Sequence, residues 1–148
     1  MSSAPDDFLS KLIGKWSLQG KMGEVALFQD VVGRWVLRRL FVEMKLSPIR
    51  VGEDGNPDYE AMYLIGYDRK RDDFVLHLFD TYGVSSKPVP GVGKREGNSL
   101  SFKFDYEGGP WLNTFTWLPE RKAWKNVITY HQDGKETTFA EKTLEPVP

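Results

Sequence analysis

Two adjacent arginines, Arg38 and Arg39, interrupt an apolar run that reads RWVLRRLFVEMKL over residues 34–46. If that run is one extended strand, consecutive side chains point to opposite faces, so one arginine must enter whatever interior the strand covers. Both neighbour sets are apolar: Val36, Leu40 and Val42 on one face, Trp35, Leu37 and Phe41 on the other. Register decides which arginine points inward. An arginine in an apolar interior must be paired, because an isolated buried charge is prohibitively unfavourable. Its partner is either an internal carboxylate such as Glu43, Glu60 or Asp80, or the anionic end of a bound molecule, which the guanidinium fork suits.

The two histidines offer less. His77 lies mid-strand in FVLHLF, where it is either a satisfied core residue or a ligand contact. His131 stands beside Gln132 and Asp133 at a strand end, a position that favours solvent. With no cysteine and no helical pair of histidines, the sequence carries no metal signature. There is no G-x-S-x-G elbow, phosphate-cradling loop or dinucleotide fingerprint. Carboxylates such as Asp68, Asp80 and Asp105 are numerous, but no working pair is visible, and no residue is assigned a catalytic role. Aromatic residues make up 14% of the chain. Tyr63, Tyr67, Phe79, Phe102, Phe104, Phe115, Trp117, Trp124 and Tyr130 are placed either to pack a core or to line a cavity with a few polar tips. Trp111, after Gly108-Gly109-Pro110, reads as an exposed ring at an interface or lid. The candidate ligand-binding set is Arg38, Arg39, Trp16, Tyr63, His77, Phe102, Phe104, Trp117 and Tyr130.

The elements that must position these residues are strands. At 148 residues, with 40% hydrophobic and 28% charged residues, the chain has the size and composition of one domain spanning 1–148. A polar lead-in over residues 1–10 ends in a helical turn, and Phe8, Leu9, Leu12 and Ile13 are spaced to plug a barrel end. Period two then dominates: strands are expected over 15–20, 24–32, 34–46, 59–68, 73–81, 99–106, 111–118, 123–131 and 135–144. Leu100, Phe102, Phe104 and Tyr106 share one face. Asp133-Gly134 is the pair a type I′ hairpin turn prefers. Loop composition marks 47–58, charged turns occupy 69–72 and 119–122, and Pro88, Pro90, Gly91 and Gly93 demote 84–95 to an edge or irregular strand. The expectation is an all-β antiparallel meander of nine or ten strands closed into a single barrel, since closure removes exposed edges. The Thr-rich, proline-ended tail lacks the long helix of a helix-grip fold. An immunoglobulin-like sandwich would want longer connections than those between Leu100 and Leu144.

The context Phe8-Leu9-x-x-Leu12-Ile13-Gly14-x-Trp16 resembles the opening of calycin-type barrels: lipocalins, fatty-acid-binding proteins and haem-binding nitrobindins. Gly33-Arg34-Trp35 and Leu64-Ile65-Gly66-Tyr67-Asp68, with Asp80 ending the next strand, resemble a group of small bacterial calycin-like (lipocalin-like) proteins of uncharacterised function. The resemblance implies a barrel and supplies no activity. Asp80-Thr81-Tyr82 departs from the Thr-Asp-Tyr order of lipocalins, and the two helices that cap fatty-acid-binding proteins are missing. Gly14, Trp16 and Gly20 match the nitrobindin opening, while Leu18 replaces its middle glycine. That likeness implies haem as an alternative ligand, with His131 as the residue answering to the axial histidine.

The functional expectation is a barrel that binds a small, largely hydrophobic molecule, its anionic end met by Arg38 or Arg39, with no cofactor. The haem-binding barrel, a non-catalytic interaction module and a small-barrel enzyme are the alternatives. A dimer would use the edge near 84–93 or exposed rings such as Trp111. The formal charge of −1 argues against nucleic acid as the main partner. No stretch approaches the roughly 20 apolar residues needed to span a bilayer. The opening residues lack the pattern of a secretory signal, so a cytoplasmic location is expected.

Overall fold

The computed structural model describes residues 4–49, 59–85 and 88–148, so the tip of the expected 47–58 loop, the first residues of the lead-in and Ser86-Lys87 lie outside the described residues. A short helix, α1 (Ala4–Ser10), precedes ten strands: β1 (Gly14–Met22), β2 (Val25–Val36), β3 (Phe41–Pro48), β4 (Ala61–Asp68), β5 (Asp73–Asp80), β6 (Gly91–Glu96), β7 (Ser99–Phe104), β8 (Trp111–Leu118), β9 (Ala123–Gln132) and β10 (Lys135–Pro146). Each strand pairs antiparallel with its successor. β1 also pairs with β10, from Trp16 opposite Pro146 to Met22 opposite Ala140, which closes the barrel. No helix among the described residues is long and apolar enough to cross a membrane.

Alternation selects the interior. Leu100, Phe102 and Phe104 are buried while Lys103 is exposed, as the period-two pattern requires. Val42, Met44 and Leu46 fill the inner face of β3, and Tyr63 and Ile65 that of β4. The hairpin turn at Asp133-Gly134 has φ of 52° and 74°, the left-handed pair that its residue types favour.

One end of the barrel is plugged. Phe8, Leu9 and Leu12 are almost wholly buried, with Phe8 set edge-on to Phe74 and Trp124. The last carbonyls of the helical segment, which have no partner within it, receive two indole donors: Trp16 Nε1 gives a 3.0 Å bond to Leu12 O, and Trp124 Nε1 a 2.9 Å bond to Lys11 O. This gives the Gly14-x-Trp16 spacing its physical meaning. Gly33 sits inside β2 beneath the Leu12 carbonyl, where any Cβ would overlap that oxygen.

Two expectations are corrected here. The run 34–46 is not one strand: Leu37, Arg38 and Arg39 all adopt left-handed backbone, with φ of 52°, 57° and 64°, and form the turn between β2 and β3. Both arginines therefore project into solvent outside the barrel, Arg39 lying 4.5 Å over the Trp35 ring. The 84–95 segment, expected to be an edge or irregular strand, is in part neither: β6 starts at Gly91 and is bonded on both sides, by β5 and by β7, while the described residues before it, 84, 85 and 88–90, form no regular strand.

A belt of polar side chains crosses the otherwise apolar interior. Gln29, Asn113, Asn126 and Lys142 are all buried. Asn126 Nδ2 donates to Asn113 Oδ1 at 2.6 Å and to Thr114 O at 3.1 Å. Gln29 Nε2 donates to Tyr59 O at 2.7 Å. Gln29 Oε1 and Lys142 Nζ have no partner among the described residues. Burial without a counter-charge lowers the Lys142 ammonium to about 8.

Candidate functional site

A cavity of about 380 Å³ opens at the end of the barrel opposite α1. Its walls come from strand segments on the far side from the plug. β5 supplies Leu78 and Asp80, and β4 with the residue pair before it supplies Tyr63 and Tyr59. The ends of β7 and β8 give Phe104, Tyr106, Trp111, Leu112 and Asn113. Met22, Ile128, Phe139 and the loop residue Tyr82 complete the lining. The volume suits a small organic molecule, and the wall chemistry is that of many such sites, mostly apolar with a few convergent polar groups.

Strand pairing accounts for the opening. β6 meets β5 only at Phe74, Val75 and Leu76, so from His77 to Asp80 β5 has no strand beside it on that side among the described residues. The next inner positions after Leu76 are Leu78 and Asp80, which reach this gap. On the other flank Gly91 leaves room for the Phe104 ring, which a Cβ there would strike.

Asp80 is the only lining side chain charged at neutral pH among the described residues. Its carboxylate is held by two donors: Tyr59 Oη gives a 2.8 Å bond to Oδ2, and the Tyr82 backbone N–H a 3.1 Å bond to Oδ1. The Tyr59 and Tyr82 rings lie 5.4 Å apart, tilted by 42°. Burial chiefly, with Tyr63 and the Asp80 carboxylate adding to it, drives the Tyr59 phenol far above its usual range. Burial pushes Tyr63 up to about 12, opposed by Asn113 and helped by Asp80. Tyr106 is raised by burial and again by Asp80. These three tyrosines remain protonated donors across the physiological range.

Of the candidate ligand-binding set, Tyr63 and Phe104 line this cavity, as does Trp111, which the sequence had placed at an interface or lid. Phe102 is buried core that does not line it. Trp16 belongs to the plugged end, as does Trp117, which packs on Trp124 at 5.1 Å. Tyr130 lies at the rim, stacked on Trp111 at 4.9 Å, and Trp111 is half-buried against Phe139 rather than exposed. Arg38 and Arg39 are on the plug side, remote from the mouth. His77 is neither core nor cavity: Leu76 and Leu78 take the inward positions and leave it on the outer face, 6.5 Å from the Phe41 ring. His131 occupies a shallow outer depression with Glu107, Gly108, Gly109 and Gln132. No imidazole lines the cavity among the described residues, so a haem inside it would have no histidine ligand.

Tyr59, Asp80 and Tyr82 were not in the sequence-derived set. Asp80 was legible by counting inward positions from Leu76, but the sequence placed it as a partner for an arginine, one of several carboxylates and a strand-ending residue, and not as a ligand contact. Tyr59 precedes its strand and Tyr82 follows its own, where alternation says nothing. No protein-family model matches this chain, and no curated protein is found to be similar to it.

Proposed function

We propose that this protein is a calycin-like binding barrel for a small, largely hydrophobic molecule. The observation that carries the reading is the 380 Å³ aromatic and aliphatic cavity open at one end of a barrel whose other end is sealed by α1. A filled core would have left no such space, because protein interiors pack to crystal-like density. Apolar burial supplies affinity at roughly 25 cal/mol per Å² of ligand surface removed from water, before the losses of association. The fold by itself assigns no activity. An anionic ligand end met by Arg38 or Arg39 has no support, since both arginines lie outside the barrel at the sealed end.

Titration with Nile red, a neutral apolar fluorophore, tests the reading. The dye is expected to bind one per chain with a blue-shifted emission, and Leu78→Trp, which fills the cavity, is expected to abolish uptake. Uptake that is absent in the unaltered protein, or unchanged in the folded variant, would overturn it.

A further inference from the structure

Among the described residues, the cavity lining holds one fixed negative charge, no positive charge and several π faces. We infer that the ligand carries a cationic ammonium end seated against Asp80 beside the paired Tyr59 and Tyr82 rings, with its apolar remainder deeper in the barrel. This rests on the small-molecule reading and gives it a ligand class.

Three features support it. The Asp80 carboxylate accepts one bond on each oxygen from neutral donors, which fixes its orientation and leaves each oxygen capacity for another donor. Those donors do not neutralise it, and no cationic side chain pairs with it among the described residues, so an incoming cation completes the site, whereas an incoming carboxylate would meet a like charge. The tilted rings of Tyr59 and Tyr82 stand beside that carboxylate, and aromatic faces attract ammonium groups through their quadrupoles. Asp80 lines the cavity together with Tyr63 on the paired strand β4 and with Tyr106, so its charge lies in the cavity wall rather than on the outer surface.

The rival within the same barrel is Lys142. Its Nζ is buried, has no partner among the described residues and lies outside the cavity lining, so an anionic head in the cavity would not meet it.

Three probes of equal chain length separate these readings: dodecyltrimethylammonium, dodecanol and dodecanoate, each titrated below its micelle concentration by calorimetry. The ammonium is expected to bind tightest, by about tenfold over the alcohol, as a cation–π and ion-pair gain at a partly exposed site would give. Dodecanoate is expected to bind weakest. Asp80→Asn should remove the ammonium preference while the alcohol affinity stays. Tyr82→Leu, at a largely exposed ring whose loss does not threaten folding, should reduce ammonium binding severalfold and spare the alcohol. Equal affinity for all three probes, or an ammonium preference that survives both substitutions, would overturn the inference. Tightest binding of dodecanoate, lost in Lys142→Met, would replace it with an anionic ligand. Binding of none of the three would sink the small-molecule reading itself.

Discussion

Gly33 lies directly beneath the carbonyl oxygen of Leu12, with no room between them for a side chain. That contact joins the second strand to the end of the helical plug, and the same oxygen receives the Trp16 indole. Gly33→Ala must therefore push the plug outward or bend β2. We expect a loss of about 1–3 kcal/mol, the range for overpacking a tight site. If the damage is displacement of α1, the large penalty of Phe8→Ala should shrink in the Gly33→Ala background. A thermal-unfolding double-mutant cycle reads that coupling. Strict additivity would show that the strand, and not the plug, absorbs the strain.

Lys142 makes stability depend on pH in a defined direction. Its folded value of about 8 lies below the ordinary 10.5. Below pH 8 both states are charged, and the folded state bears the full penalty of an ammonium without a partner. Between 8 and 10.5 the folded state has released its proton while the unfolded state keeps it, so unfolding takes up protons and stability rises with pH. The whole effect is roughly 3 kcal/mol. The raised tyrosines act oppositely, but only above about pH 10, where unfolded phenols begin to ionise. The unfolding midpoint should thus climb between pH 8 and 10, whereas Lys142→Met should be more stable at pH 7 and show no such climb. A flat profile in the unaltered protein would mean that Nζ finds a partner in solution.

Much of this architecture was legible in residues 99–146. Leu100, Phe102 and Phe104 alternate with polar neighbours, and Asp133-Gly134 could hardly be anything but a tight turn. The inward placement of Lys142 was also there to be read, two positions from the buried Leu144 on the expected strand 135–144. The turn at Arg38 was hidden for a physical reason. It uses no Gly, Pro, Asn or Asp, and its flanking Leu37 and Leu40, exposed at 63% and 66%, make a strand-like apolar pattern. The site was hidden differently. Tyr59 meets Asp80 and the Tyr82 ring only because β4 and β5 pair with Ala61 opposite Asp80, and such a register is long-range information.

Asn113 and Asn126 should behave as a unit. Both are buried, and the 2.6 Å bond between them satisfies the Asn113 carbonyl inside the barrel. Asn126→Leu leaves that oxygen without its donor, a loss of about 1–3 kcal/mol. Removing both amides should cost less than the sum of the single changes, because neither amide then faces the gap left by the other. Chemical denaturation of the four proteins in the cycle measures this. An additive double variant would show that each amide is satisfied elsewhere.

The turn at Arg38 allows the strand-and-clamp alternative to be tested directly. Three consecutive non-glycine residues in left-handed backbone are unfavourable, by roughly 1–2 kcal/mol for each non-glycine residue so placed. Glycine meets no such barrier, while its greater freedom in the unfolded chain offsets part of the gain. Arg38→Gly is therefore expected to stabilise the protein by about 1 kcal/mol or less, and to leave Nile red uptake unchanged, because the side chain projects into solvent at the sealed end. If Arg38 instead pointed inward from a continuous strand, removing it would empty a clamp and break a packed row, and both stability and uptake would fall. Thermal unfolding and the dye titration on the same sample distinguish the two arrangements.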